Sequence, residues 1–135
     1  MKKTIVGFVL AGLVTAGAFA CNGGMAAWGY TTQWWNSAAT LVYILFWAGL
    51  TAGGTKCKPW LRLARVMAWI TLVTGGYCLA LRLLESGGFL SAFLSIFASV
   101  PFFGLTILLD WTAVYAVAAL LGLGWVLWTR KLTKQ

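Results

Sequence analysis

Apolar runs long enough to cross a bilayer alternate along this chain with tight groups of cations, and that alternation constrains the fold more than any motif. Of the ten Lys and Arg residues, two are Lys2 and Lys3, four are Lys56, Lys58, Arg62 and Arg65, and three are Arg130, Lys131 and Lys134, leaving Arg82 alone. Lys and Arg collect at the cytoplasmic ends of membrane spans, so the groups mark three points where the chain touches one face of a membrane. Hydrophobic residues make up 61% of the chain and charged residues 9%, against about 25% charge in a soluble domain. The expected class is an all-α integral membrane protein. A formal charge of +8 invites a nucleic-acid reading, but such a surface needs its cations spread over a water-facing side. Here they flank apolar runs, which assigns them to topology and to membrane lipid headgroups, with no nucleic-acid partner.

The first run, residues 4–20, follows Lys2-Lys3 and ends in Ala18-Phe19-Ala20 before Cys21. It reads as a retained span. A basic start, an apolar stretch and an A-x-A ending also fit a signal peptide over residues 1–20. A third outcome makes Cys21 a lipidated amino terminus, although Ala18 and Phe19 fit such a site poorly. All three place Cys21 on the outer side. Residues 37–53 form the second expected span and 61–84 the third, with Pro59 suited to a first turn where its missing N–H is no loss. Arg62 and Arg65 can snorkel to the headgroups. Arg82 and Glu85, three apart on one helix face, are a candidate ion pair, and Gly87-Gly88 is the expected stop.

Residues 89–128 are almost unbroken apolar sequence, interrupted by Pro101, Gly104 and Asp110. Two crossings fit by length. With the 56–65 loop cytoplasmic, however, they would leave Arg130, Lys131 and Lys134 outside, against the charge rule. A single crossing by residues 111–128 keeps the carboxyl terminus cytoplasmic and leaves 89–109 as a broken re-entrant or interfacial helix, with Asp110 at the N-cap of the last span. The expected architecture is one domain over residues 1–135, a compact bundle of about four transmembrane helices; five spans is the alternative. Trp and Tyr favour the interfaces, and this arrangement puts Trp28, Tyr30, Trp34, Trp35 and Trp111 at the outer one and Trp60, Trp125 and Trp128 at the inner one.

Chemistry-bearing residues are scarce. The chain has no His, and its only acids are Glu85 and Asp110. Haem ligation through His and zinc sites built on His or four Cys are excluded. Cys21, Cys57 and Cys78 form no C-x-x-C and fall at three different depths, so they read as unrelated thiols. No catalytic residue, cofactor site or metal site is expected, and the chain is expected not to be an enzyme.

Small residues carry more information. Gly7 and Ala11, Gly12 and Ala16, Gly49 and Gly53, and Ala118 and Gly122 each repeat at four-residue spacing, which lets a second helix backbone approach closely where lipid offers no hydrophobic drive. Gly75-Gly76 marks a close helix crossing or, less favoured, a hinge. In the 89–109 segment, Ser91, Ser95 and Ser99 make a polar stripe ahead of Pro101 and Asp110, a candidate outer vestibule, although hydroxyls bonded to their own helix or lying against headgroups are the favoured reading.

The leading functional expectation is a non-catalytic polytopic protein, packing as an accessory, assembly or structural subunit of a membrane complex or as a homo-oligomer. A small oligomeric transporter or channel for an uncharged or anionic solute is the alternative, and a thiol-based or lipid-active membrane enzyme the third reading. A short chain opening Met-Lys-Lys with a signal-like first run points to a bacterial inner membrane.

Overall fold

The fold follows from four amphiphilic helices that expose far more apolar surface than they bury. A computed structural model describes residues 2–28, 31–85 and 100–134. They form α1 (Lys2–Trp28), α2 (Trp34–Gly53), α3 (Lys58–Leu83), a 3₁₀ helix η1 (Val100–Ile107) and α4 (Trp111–Thr133). Helix is the one regular secondary structure among the described residues. Residues in α1, α3 and α4 are long and apolar enough to cross a membrane, yet only 17%, 22% and 28% of their most apolar windows are buried inside the chain. Ile5, Val9, Leu13, Val66, Val73, Leu120 and Leu127 all face outward. A surface of this kind needs a hydrocarbon environment rather than water. α2 is 20 residues long, but its amino-terminal turns carry Trp34, Trp35, Asn36 and Ser37, and it falls short of the same apolar standard.

The helices overrun the boundaries expected from sequence. α1 continues through Cys21-Asn22-Gly23-Gly24 to Trp28, because Asn22 is paired with other elements instead of competing for its own backbone. α2 begins at Trp34, where the Gln33 N–H donates to Asn36 Oδ1 at 2.8 Å. α3 carries Pro59 in its first turn. α4 runs past Trp128 to Thr133, its last turn holding Arg130 and Lys131 where the helix dipole favours cations. The candidate pair Arg82 and Glu85 forms no ion pair among the described residues. α3 ends at Leu83, and Glu85 leaves it with φ of 49°, so the spacing of three no longer places both on one helix face.

The tightest interface is the antiparallel pair α3–α4. α3 buries Leu61, Ala64, Ala68, Thr71, Gly75 and Cys78, and α4 buries Val114, Ala118, Gly122, Val126 and Thr129. Both sets recur every three or four residues, the spacing of a single helix face. Two glycines bring the backbones together. A Cβ on Gly75 would lie 2.8 Å from Ala119 N, and one on Gly122 would lie 2.5 Å from Leu72 N. Dispersion contacts across such a crossing supply association energy where hydrocarbon surrounds both helices.

On the other flank α1 runs antiparallel to α2, burying Gly7, Ala11, Ala18 and Asn22. The Trp60 indole wedges between Gly7 of α1 and Gly53 of α2, leaving no room for a Cβ on Gly7. Trp60 on α3 thereby ties the amino end of α1 to the carboxyl end of α2, and Thr4 Oγ1 meets Cys57 Sγ at 3.8 Å nearby. Arg65 on α3 reaches Thr133 and the Thr129 carbonyl on α4. One end of the bundle therefore gathers the start of α1, the α2–α3 turn and the end of α4. All the described cations except Arg82 lie there, while Asp110 and Glu85 lie at the opposite end.

Gly122→Ala is expected to cost about 1–3 kcal/mol of bundle stability by forcing α3 and α4 apart. Gly124→Ala, at a position with nothing within 4 Å of the added methyl, should be neutral or stabilise by about 0.5–1 kcal/mol. Thermal unfolding of both variants in one detergent measures the contrast.

Candidate functional site

Two features stand out from the helix packing: a buried polar node and an aromatic groove. The node forms where α1, α2 and η1 converge. Asn22, Asn36 and Thr40 are at most 1% exposed. Asn22 Nδ2 donates to Thr40 Oγ1 at 3.3 Å and to the Val100 carbonyl at 3.0 Å, while its Oδ1 accepts from Asn36 Nδ2 at 3.1 Å. Asn36 Nδ2 also donates to the Cys21 carbonyl at 2.9 Å, and its Oδ1 accepts the Gln33 N–H. Each amide thus uses both its N–H groups and its oxygen, the condition under which burial of a polar side chain is tolerated.

The same node docks η1. Gly104 N donates to Thr40 Oγ1 at 3.0 Å, and the Gly104 carbonyl accepts from Ser37 Oγ at 2.8 Å. Thr32 and Thr106 hydroxyls bond across the edge of the contact. Gly104 is required for close approach, since a Cβ there would collide with the Asn36 carbonyl. Val100, Pro101, Phe102, Phe103 and Gly104 are all buried, so residues 100–104 pack as a plug against α1 and α2, while Ile107 and Leu108 beyond them face outward. Ser91, Ser95 and Ser99 lie outside the described residues. Asp110 is exposed and caps α4, its carboxylate accepting from Ala113 N at 2.9 Å.

A column of rings continues from η1 toward the basic end. Phe102 meets Tyr43 edge-on at 6.0 Å, Tyr43 meets Trp47 at 6.3 Å, and Trp47 lies 5.6 Å from Trp125. Trp125 Nε1 donates to Thr51 Oγ1 at 2.6 Å, and Thr51 donates in turn to the Trp47 carbonyl at 2.8 Å. This link is the polar strut between α2 and α4. Above it the two helices part, leaving a groove of about 250 Å³ bounded by Tyr43, Trp47, Phe102, Leu121, Gly124 and Trp128. Its walls are apolar save for Thr71, which is bonded to its own helix at the Met67 carbonyl. The buried indole nitrogen of Trp60 has no hydrogen-bond partner among the described residues.

The structure separates the other residues singled out from sequence. Gly7 and Ala11 are buried on α1, whereas Gly12 and Ala16 face outward. Gly53 touches Trp60, while Gly49 is exposed; Gly75 is packed on α4, while Gly76 has open space beyond it. Ala118 and Gly122 face α3. Cys21 points outward from the interior of α1, Cys57 is half-buried and Cys78 is buried, each a free thiol. Among the described residues no group of three His, Cys, Asp or Glu could hold a metal ion. Sequence reasoning missed Asn22, Asn36 and Thr40. The available signal was two amides at facing ends of adjacent apolar runs, 21–24 and 33–37, which read instead as span boundaries.

Removing a node acceptor leaves buried donors unpaired, at about 1–3 kcal/mol for each group. Thr40→Val should therefore lower stability by that order and free η1, whereas Thr40→Ser, which keeps the oxygen, should retain most of it. Asn36→Ala should cost at least as much as Thr40→Val. Unfolding midpoints, with limited proteolysis read at residues 100–107, report both effects.

No protein family, curated protein or solved structure matches this chain, so its functional reading rests on its own geometry.

Proposed function

We propose that this is a non-catalytic polytopic membrane protein that works by packing, as an accessory, assembly or structural subunit of a membrane complex or as a self-assembling component. Each of α1 to α4 crosses the bilayer once, with the basic end cytoplasmic and η1 plugging the outer end. A bacterial inner membrane is its proposed location. The observation that carries this reading is how the buried polar side chains are spent. Asn22, Asn36 and Thr40 hold the node; Thr51, Thr71 and Thr129 bond to carbonyls of their own helices. A solute path needs polar groups that can exchange partners with the solute, and these are committed to the fold.

Two further features support the proposal. Gly12 and Ala16 on α1, Gly49 on α2 and Gly76 on α3 are small residues not used in the bundle, and they offer backbones that a neighbouring span can approach. The wedge of Trp60 on Gly7 supports retention of the first segment, since cleavage after Ala20 would remove the buried Gly7, Ala11 and Ala18 from the bundle.

Gentle detergent extraction of the natively expressed chain, followed by native mass spectrometry, is expected to recover it with a stoichiometric larger partner or as a discrete homo-oligomer, with residues 1–20 retained. Gly12→Ile combined with Ala16→Ile should dissociate that assembly while leaving the monomer folded. Conduction of an uncharged or anionic solute by the reconstituted oligomer in liposomes would instead establish the transporter reading.

A further inference from the structure

The face of α4 that borders the groove continues toward the basic end. On α4, Leu121, Gly124, Trp128 and Lys131 are spaced three, four and three apart, which places them on one helix face. The first three border the groove. Lys131 lies one turn beyond Trp128, about 4.5 Å further along the axis, and is exposed. On the facing helix, Trp47 and Ala48 border the groove, and the chain then passes Thr51 and turns at Gly53 to the exposed Lys56, whose N–H donates to the Gly53 carbonyl at 3.1 Å. The Trp125–Thr51 bond ties the two helices together beside the groove, which Trp125 also borders. An apolar slot thus opens sideways, and positive charge waits at its end with no carboxylate among the described residues there to neutralise it.

We infer that this groove is a binding site for one anionic phospholipid, with an acyl chain lying between the Tyr43–Trp47 rings and the Leu121–Gly124 stretch and the phosphate against Lys131 and Lys56. Charge complementarity selects the occupant. A neutral chain would fill the slot equally well, but an anionic headgroup satisfies cations that have no partner of opposite sign among the described residues. A slot of about 250 Å³ sits below the range typical of drug-sized ligands, which suits a single flexible chain rather than a fused-ring molecule. Gly124 leaves the floor of the slot open, since nothing lies within 4 Å of where its side chain would project. The inference needs only that the bundle is embedded in a bilayer and does not depend on the subunit reading.

The test uses the full chain, delipidated in detergent and exposed to an equal mixture of phosphatidylglycerol and phosphatidylcholine of matched acyl chains, with bound lipid counted by native mass spectrometry. The wild type should retain one phosphatidylglycerol per chain in clear preference to phosphatidylcholine. Lys131→Gln should reduce that preference about fivefold without emptying the slot of neutral lipid. Gly124→Phe should abolish retention of both lipids while keeping the wild-type unfolding temperature, and Gly124→Leu gives a smaller filling of the same slot if the phenyl ring perturbs the bundle. Equal retention of the two lipids by the wild type, or an unchanged lipid count in folded Gly124→Phe, overturns the site. Stoichiometric retention of a protein chain with no lipid adduct overturns it as well, because a partner helix would then own the groove.

Discussion

Two buried asparagine side chains hold together three elements that would otherwise have little reason to meet. Asn22 sits near the end of α1 and Asn36 near the start of α2, and each has every amide hydrogen and its oxygen engaged. Through Thr40 the same network reaches the Gly104 amide and fixes η1. In an apolar surrounding an unpaired amide is costly, so these bonds are satisfied together or not at all. Their consequence is geometric: once Gly104 is seated on Asn36, the apolar residues Val100 to Phe103 have no course except into the bundle.

The rest of the molecule is held by close approach rather than by polarity. Gly75 and Gly122 let α3 and α4 touch backbone to backbone, and Trp60 fills the gap that Gly7 leaves on the other flank. Between these flanks the ring column runs from Phe102 through Tyr43 and Trp47 to Trp125. Electrostatics plays a different part. All the described cations except Arg82 lie at one end and the two acids at the other, so charge is segregated along the bundle and does not brace its interior.

The membrane class and helical fold were legible from the apolar runs and their cationic punctuation, because both reflect bulk transfer energetics that accumulate along a segment. Asp110 as a helix cap was legible too, since capping is local. Tertiary pairing was not. Asn22 and Gly23-Gly24 carry the signature of a helix end, and only the presence of Thr40 and Val100 across the interface lets α1 run through them. The converse applies at Glu85, where a spacing of three suggested a partner for Arg82 but the backbone turns into the left-handed region first. Among the small-residue pairs, spacing identified faces able to pack but gave no means of telling Gly75, which meets α4, from Gly76 next to it, which meets nothing.

The central claim is that the η1 end of the bundle is a sealed, hydrogen-bonded plug and not an opening mouth. Hydrogen–deuterium exchange of the full chain in lipid nanodiscs addresses it at one site, the Gly104 amide. The account predicts protection comparable to the amides at the α3–α4 crossing around Leu72 and Gly122, since opening η1 requires breaking the node. Exchange of residues 100–107 within seconds, with α3 and α4 still protected, would contradict it and make this segment a gate.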